Sequence, residues 1–337
     1  MRVCIVTENF IQPWSPNDIE TFLGGSQECV VLLAEALSKR GHSVQVMTHG
    51  PTPVGSEERK GIPYTQFSEP IQADVAILFK VNPLTRKPPC KVIFWSSDVQ
   101  EKIPGIVSCN AVVCLTMYHL QRNGWKSGYV IPHGIDFESL DRRRKEKIPN
   151  TVLYCSSPDR GLEDLLQNWH LVRKHFPKLT LTITYGFRIT RQISSELGRN
   201  IADHYEENVR QECKRVGIRY LGDVSRQKLE ELYWESEYWI LPLNNADSEL
   251  FCFNAVKSAY TRCIPIVNKI GALTETVRDY IPFTQFIQGD LRVVPGRNIV
   301  PMYTWEEVAE MWGRVFPEPS KPDSHCPKDS IESACWN

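Results

Sequence analysis

Residues 249–267 read Glu249-Leu250-Phe251-Cys252-Phe253-Asn254-Ala255-Val256-Lys257-Ser258-Ala259-Tyr260-Thr261-Arg262-Cys263-Ile264-Pro265-Ile266-Val267. An acidic residue opens an aromatic turn, and residues 253–261 then carry helical periodicity. Residues 264–268 follow as a short apolar run of the kind that forms a buried strand. Turn, helix and strand in this order are one segment of an α/β repeat.

The same alternation extends in both directions. Residues 2–7 read as a strand. Gly24-Gly25 leads into a helix whose Val30, Leu33, Ala34 and Leu37 share one face, Gly41 closes it, and residues 44–48 supply the next strand. Such a βαβ unit implies a right-handed crossover and a parallel sheet. Residues 75–79, 91–95, 111–116 and 130–132 add strands. After a charged stretch at 141–147 the pattern restarts, with strands at 152–155, 179–185, 218–221 and 238–241 and helices at 161–176 and 228–234. Residues 304–316 read as an amphipathic helix with Trp305, Val308 and Trp312 along one side. The Pro- and Ser-rich remainder reads as disordered. We therefore expect two Rossmann-like, doubly wound α/β domains, residues 1–145 and 146–303, facing an interdomain cleft. Residues 304–316 are expected to cross back to the first domain and residues 317–337 to form a tail. In such sheets ligands bind beyond the carboxyl ends of the strands.

Composition narrows the chemistry. Thirty-nine lysines and arginines against 40 acids leave no global field for nucleic acid or an anionic membrane, although a local basic groove is compatible with that balance. The 11 cysteines include no Cys-x-x-Cys pair, and Cys4, Cys114, Cys155 and Cys252 sit in apolar segments, as buried thiols of a reducing compartment do. The amino terminus enters a strand pattern directly, and no apolar run approaches the roughly 20 residues of a membrane span. A soluble, cytoplasmic protein without stable membrane insertion is expected. Arg142-Arg143-Arg144-Lys145 reads as a solvated linker or a nucleic-acid contact; the absence of interleaved aromatics favours the linker.

Two further segments carry candidate chemistry. Glycines at Gly24-Gly25 allow close backbone approach, and the helix N–H groups that follow suit a phosphate; a plain turn is the alternative. Arg160, at the strand-to-helix turn after Ser156, is placed for a fork onto a diphosphate, or it is a surface arginine. Two lobes and a cleft of this kind serve transferases, epimerases and binding proteins alike.

In order and spacing these segments resemble retaining GT-B glycosyltransferases of family 4, over about residues 1–316. The shared features are the Glu-x-Phe-Cys turn at 249–252, the Gly-Gly-Ser loop, Arg160-Gly161, Val130-Ile131-Pro132-His133-Gly134-Ile135-Asp136, Tyr220-Leu221-Gly222-Asp223-Val224, and Gly271-Ala272-Leu273-Thr274-Glu275. The resemblance implies a nucleoside diphosphate sugar donor held by Gly24, Gly25, Ser156, Arg160, Leu221, Glu249, Phe251, Cys252, Phe253, Lys257, Gly271, Ala272 and Leu273. It also implies catalytic roles for Glu249 on the sugar, Arg160 on the leaving group and Asp98 on the acceptor. Asp98 is equally placed to cap the next turn, and Thr274 to cap a helix. Retention through a front-face displacement is implied, with no cofactor and, in the absence of an Asp-x-Asp motif, no essential metal.

The pattern also breaks. The second glutamate of the opening motif is Lys257, which has three donors and no acceptor and so cannot take two ribose hydroxyls. A buried lysine there must be partnered, exposed or deprotonated. Arg262 replaces a turn glycine, Gln27 a glutamate, and Ser97 a histidine two residues after Trp95. A glycan, a small molecule or a hydroxylated DNA base all fit as acceptor. A non-catalytic sugar-nucleotide binder is the other reading.

Overall fold

The computed structural model describes residues 1–7, 14–21, 23–48, 57–187, 191 and 201–317. The strands expected above are present with shifts of up to four residues at their ends, and the remaining residues, including 318–337 and most of the loop from Glu8, lie outside the described set.

The first sheet contains β1 (Arg2–Thr7), β2 (Ser43–Thr48), β3 (Glu57–Arg59), β4 (Ile62–Gln66), β5 (Val75–Phe79), β6 (Lys91–Trp95), β7 (Ala111–Cys114) and β8 (Tyr129–Val130). Its order is β3-β4-β2-β1-β5-β6-β7-β8, parallel throughout except for the β3–β4 hairpin. Every residue of Val75–Phe79 is buried, as expected of a strand covered on both faces. The second sheet contains β9 (Ile148–Tyr154), β10 (Thr180–Ile183), β11 (Arg219–Tyr220), β12 (Ser236–Leu241), β13 (Ile264–Val267) and β14 (Ile281–Pro282). It is wholly parallel, in the order β11-β10-β9-β12-β13-β14.

The helices are α1 (Gly25–Lys39), α2 (Met117–Arg122), α3 (Phe137–Arg142), α4 (Leu162–His175), α5 (Ile201–Val216), α6 (Arg226–Glu235), α7 (Phe253–Tyr260), α8 (Leu273–Thr276), α9 (Phe283–Ile287) and α10 (Trp305–Gly313). Each sheet has its own apolar core. Trp305, Val308, Ala309 and Trp312 of α10 belong to the core of the first sheet, beside Val30, Leu33 and Leu37 of α1. Among the described residues no helix is long and apolar enough to cross a membrane.

The charged stretch before β9 is mostly exposed and irregular after α3, as a solvated connection between the sheets is, but several of its charges have partners. Residues 137–142 are helical, and Arg142 pairs with Glu138 at 2.8 Å. Arg144 lies 5.2 Å from the centre of the Trp234 ring, and the half-buried Lys147 ammonium donates to the carbonyls of Tyr233 and Ser236. Packing partners about ninety residues away therefore decide where Arg144 and Lys147 go.

Arg262, in place of the turn glycine, adopts a left-handed φ of 63° after α7. That geometry favours glycine. Arg262→Gly is expected to stabilise the chain by about 1 kcal/mol, measurable as a shifted urea midpoint with unchanged slope; a lower midpoint would show that the arginine side chain outweighs the backbone strain.

Candidate active site

Two cavities open along the seam between the sheets. The larger, of about 480 Å³, is lined from the first lobe by Gly25 and Cys29 of α1, Lys80 after β5, Ser97 and Asp98 after β6, and His133. Arg160, Asp247, Glu249, Phe251 and Phe253 line it from the second. The smaller, of about 220 Å³, adjoins Gly24 and Glu28 of the first lobe and Tyr185, Asp223, Arg226, Leu229 and Lys257 of the second. Thr7, Phe79 and Trp95, which end β1, β5 and β6, are buried, so the wall loops emerge from well-packed carboxyl ends.

The fold brings Arg160 and Glu249 together across 89 residues of chain. Arg160 Nη1 donates to Glu249 Oε2 at 2.8 Å and lies 3.5 Å from Ser156 Oγ. Glu249 is buried at 6% exposure, and burial holds its carboxyl above the usual range, with Arg160 opposing that rise. Burial alone would lower the Arg160 guanidinium, but Glu249 and neighbouring groups outweigh it and the net shift is upward. The bond is charge-assisted, and it fixes the direction of both side chains on the cavity wall. Glycine is required beside this arginine: Gly161 has φ +86°, and a Cβ there would lie 2.1 Å from the Pro242 carbonyl oxygen.

Gly24 and Gly25 begin α1 with ordinary backbone angles at Gly24, φ −69° and ψ 156°. A Cβ on Gly25 would meet open space, so its glycine keeps a wall clear and relieves no strain. Phe251 and Phe253 face the larger cavity. Cys252 does not; it is buried beside them, outside the cavity lining. Ser156 likewise lies behind Arg160, and Leu221 packs toward the second core, leaving Gly222, Asp223 and Val224 on the smaller cavity.

Gly271, Ala272 and Leu273 are also off both walls. The Ala272 N–H donates to the Glu249 carbonyl at 3.3 Å, and a Cβ on Gly271 would lie 2.4 Å from Ala246 O, so the segment props the Glu249 loop from behind. Thr274 does not cap the helix: Ala272 is the cap position, and the Thr274 hydroxyl donates back to Gly271 O at 2.7 Å. Glu275 turns to the other lobe, accepting the Met117 and Tyr118 N–H groups at 3.0 and 2.6 Å at the start of α2. Asp247 completes this contact with a two-bond fork from Arg122, both at 2.7 Å, and a bond from the Tyr118 hydroxyl.

Lys257 is partnered. Its ammonium lies 3.8 Å from Glu28 Oε1, and the same oxygen lies 3.7 Å from Arg226 Nη2. Arg226 also reaches Asp136 at 3.0 Å and Glu230 at 2.9 Å, tying α1, the segment before α3, and α6 into one charged cluster. Glu28 thus places a carboxylate beside Lys257 on the wall of the smaller cavity.

Asp98 caps no helix. Its Oδ1 lies 3.2 Å from Lys80 Nζ. The backbone of its loop is held by His119, whose Nδ1 accepts the Leu115 N–H, so that Nε2 carries the hydrogen and donates to Asp98 O at 3.0 Å. His133 is the other group sequence reasoning left as hinge structure. It is stacked on Phe253 at 4.9 Å, and burial lowers it to about 3, so it faces the cavity as a neutral imidazole. Lys80 had a legible signal, since it directly follows an apolar strand at its carboxyl end. Glu28 and Asp247 had none, because their partners are far away in the chain, and of the partners of Arg226 only Glu230 is near it in sequence.

No protein-family model matches the sequence, and no curated protein does. Solved structures do match in fold. AviGT4, a glycosyltransferase involved in avilamycin A biosynthesis, is 14% identical with a TM-score of 0.59, over 93% of this chain and 96% of that one. Sucrose-phosphate synthase from Thermosynechococcus elongatus is 11% identical with a TM-score of 0.59, over 93% and 98%. An alpha-glucosyltransferase in complex with UDP-glucose and DNA containing an abasic site is 12% identical with a TM-score of 0.52, over 84% of each chain. The architecture is that of GT-B glycosyltransferases: an α/β protein with two doubly wound sheets facing a cleft.

Proposed function

We propose that this chain is a retaining glycosyltransferase that moves a sugar from a nucleoside diphosphate donor to a hydroxyl acceptor. The observation that carries the reading is the Arg160–Glu249 pair on the wall of the interlobe cavity, facing the glycine-lined start of α1. In this reading the nucleoside occupies the smaller cavity and the diphosphate lies between Arg160 and the N-terminus of α1. Glu249 exchanges its bond with Arg160 for hydroxyls of the sugar, which frees the guanidinium for the departing phosphate charge. Asp98, from the opposite wall, meets the acceptor. The division into 1–145, 146–303 and 304–316 is proposed on the same basis, with the sheets separating after Val130 and α10 packing on the first.

No covalent nucleophile is invoked. The leaving diphosphate helps to deprotonate the acceptor, and the protein contributes position and charge stabilisation. Glycosyl transfer to DNA, as an acceptor class, draws support from the DNA-bound structure among the similar folds, but little from Arg142 and Arg144, which are engaged by Glu138 and Trp234.

The test is a panel of UDP-, GDP-, ADP-, CDP- and dTDP-sugars, scored for thermal shift and for release of free nucleotide. One donor that raises the melting temperature and is slowly hydrolysed is the expected result. Stabilisation without release, even with candidate acceptors and DNA present, would instead favour a sugar-nucleotide binding protein. Silence toward every donor would mean that Lys257 and Glu28 close the nucleoside site.

A further inference from the structure

The second sheet sets out positions for a donor in strand order. Glu249 follows β12, Arg160 follows β9, Tyr185 and Gly186 follow β10, and Gly222 and Asp223 follow β11. These strands are successive neighbours, β12-β9-β10-β11, and adjacent strands lie about 4.8 Å apart. With the sugar at Glu249 and the diphosphate at Arg160, the nucleoside extends past β10, and its base reaches the loop after β11, the edge strand of the sheet.

A carboxylate is fixed at that end. The lining of the smaller cavity carries two, Glu28 and Asp223. Glu28 stands between Lys257 and Arg226. Asp223 has no cationic partner among the described residues and is held by backbone instead, its Oδ1 accepting the Gly186 N–H at 3.0 Å. A Cβ on Gly186 would lie 2.0 Å from Asp223 Oδ2. Gly186 is not among the glycines at positive φ, so its backbone does not itself call for glycine. The missing side chain makes room for the carboxylate, which is thereby oriented on the wall with its charge uncompensated. Such a group accepts only, and it suits a ligand edge made of donors.

We propose that Asp223 reads guanine, so that the donor is a guanosine diphosphate sugar. Guanine sets two donors side by side, N1–H and the 2-amino group, to match the two oxygens of a carboxylate. Adenine and cytosine place a ring-nitrogen acceptor beside their amino group, and uracil and thymine flank N3–H with carbonyls. Each of those edges would turn a lone pair toward the carboxylate. A carboxylate oxygen has more than one lone pair, so Oδ1 keeps the Gly186 N–H while it accepts from the base. The assignment rests on the glycosyltransferase reading and its placement of the nucleoside in the smaller cavity.

Calorimetric titration with GDP, IDP, UDP, ADP, CDP and dTDP tests it. IDP is GDP without the 2-amino group, so the ratio of the two affinities isolates the contact. GDP should bind most tightly, and about tenfold more tightly than IDP. Asp223→Ala should weaken GDP and bring it level with IDP. Gly186→Ala, which pushes the carboxylate from its seat without removing it, should do the same. Equal affinity of the unsubstituted chain for GDP and IDP would overturn the proposal. So would a GDP preference that survives in Asp223→Ala or, should that variant not fold, in Gly186→Ala; Asp223 would then belong to the fold alone. Tighter binding of UDP, ADP, CDP or dTDP than of GDP would overturn it and leave the transferase reading intact. No binding of any diphosphate would remove that reading and this assignment together.

Discussion

Arg160→Ala is expected to cost about 3 kcal/mol of stability, because it leaves the buried Glu249 carboxylate without its cation. The loss should depend on pH. Burial raises the folded-state pKa of Glu249 above its unfolded value, and Arg160 restrains that rise. For an acid shifted upward, the associated stability is present below the unfolded pKa and is lost as pH rises through the folded one. Removing Arg160 lifts the folded value further, so the deficit should be small in acid and full at neutral pH. Urea melts at pH 4.5 and pH 8 would show it; equal deficits at both would mean that packing, and not charge, carries the effect. Turnover should vanish in the same variant. Glu249→Gln preserves shape and removes the charge, so it should fold normally while losing about a hundredfold in turnover, the scale of a misplaced substrate. Full activity in Glu249→Gln would remove this residue from the mechanism.

Gly161→Ala is expected to be among the most damaging single-methyl changes at the described residues. Its φ of +86° already disfavours any Cβ, and the added carbon would lie 2.1 Å from a backbone oxygen, Pro242 O, that no side-chain rotation can clear. Strain and overpacking together amount to about 3 kcal/mol. The turn must shift to admit the methyl, and it carries Arg160 with it, so the variant should lose donor binding even where it remains folded. Denaturant melts and donor thermal shifts on the same preparation separate the two effects. A variant of unchanged stability would show that the turn yields at little cost. Gly25 is the contrast, since a Cβ there meets open space and the glycine's role is confined to the cavity wall.

Much of this architecture was legible in the chain. Strands such as Val75–Phe79 and Lys91–Trp95 are nearly continuous apolar runs because both faces are covered, and that signal is local. Elements that escaped notice hide their pattern for physical reasons. The helix Ile201–Val216 buries Ala202, Glu206, Val209 and Cys213, and the acid within that stripe, satisfied by Arg191 and Arg210, masks the apolar period. The hairpin Glu57–Gln66 is charged along an edge, and its turn is made by Lys60 and Gly61, both at positive φ. Within the mostly exposed run Arg142–Lys145, the contact of Arg144 with Trp234 could not be read from a linear pattern, because the ring lies 90 residues away.

The candidate site divides along the same line. Residue type at a strand-to-helix turn singled out Arg160 and the glycines before α1, since a diphosphate calls for a fork and free N–H groups, whereas Glu249 and Asp98 were singled out by the resemblance to GT-B glycosyltransferases. Pairing was beyond the sequence. That Arg160 rests on Glu249, that Lys257 answers Glu28, and that Gly271–Leu273 stand behind the wall all depend on segments tens to hundreds of residues apart. Hydrogen bonds and ion pairs act over a few ångströms, so the sequence by itself determined which groups the cleft could use, and only the tertiary structure decided which of them meet.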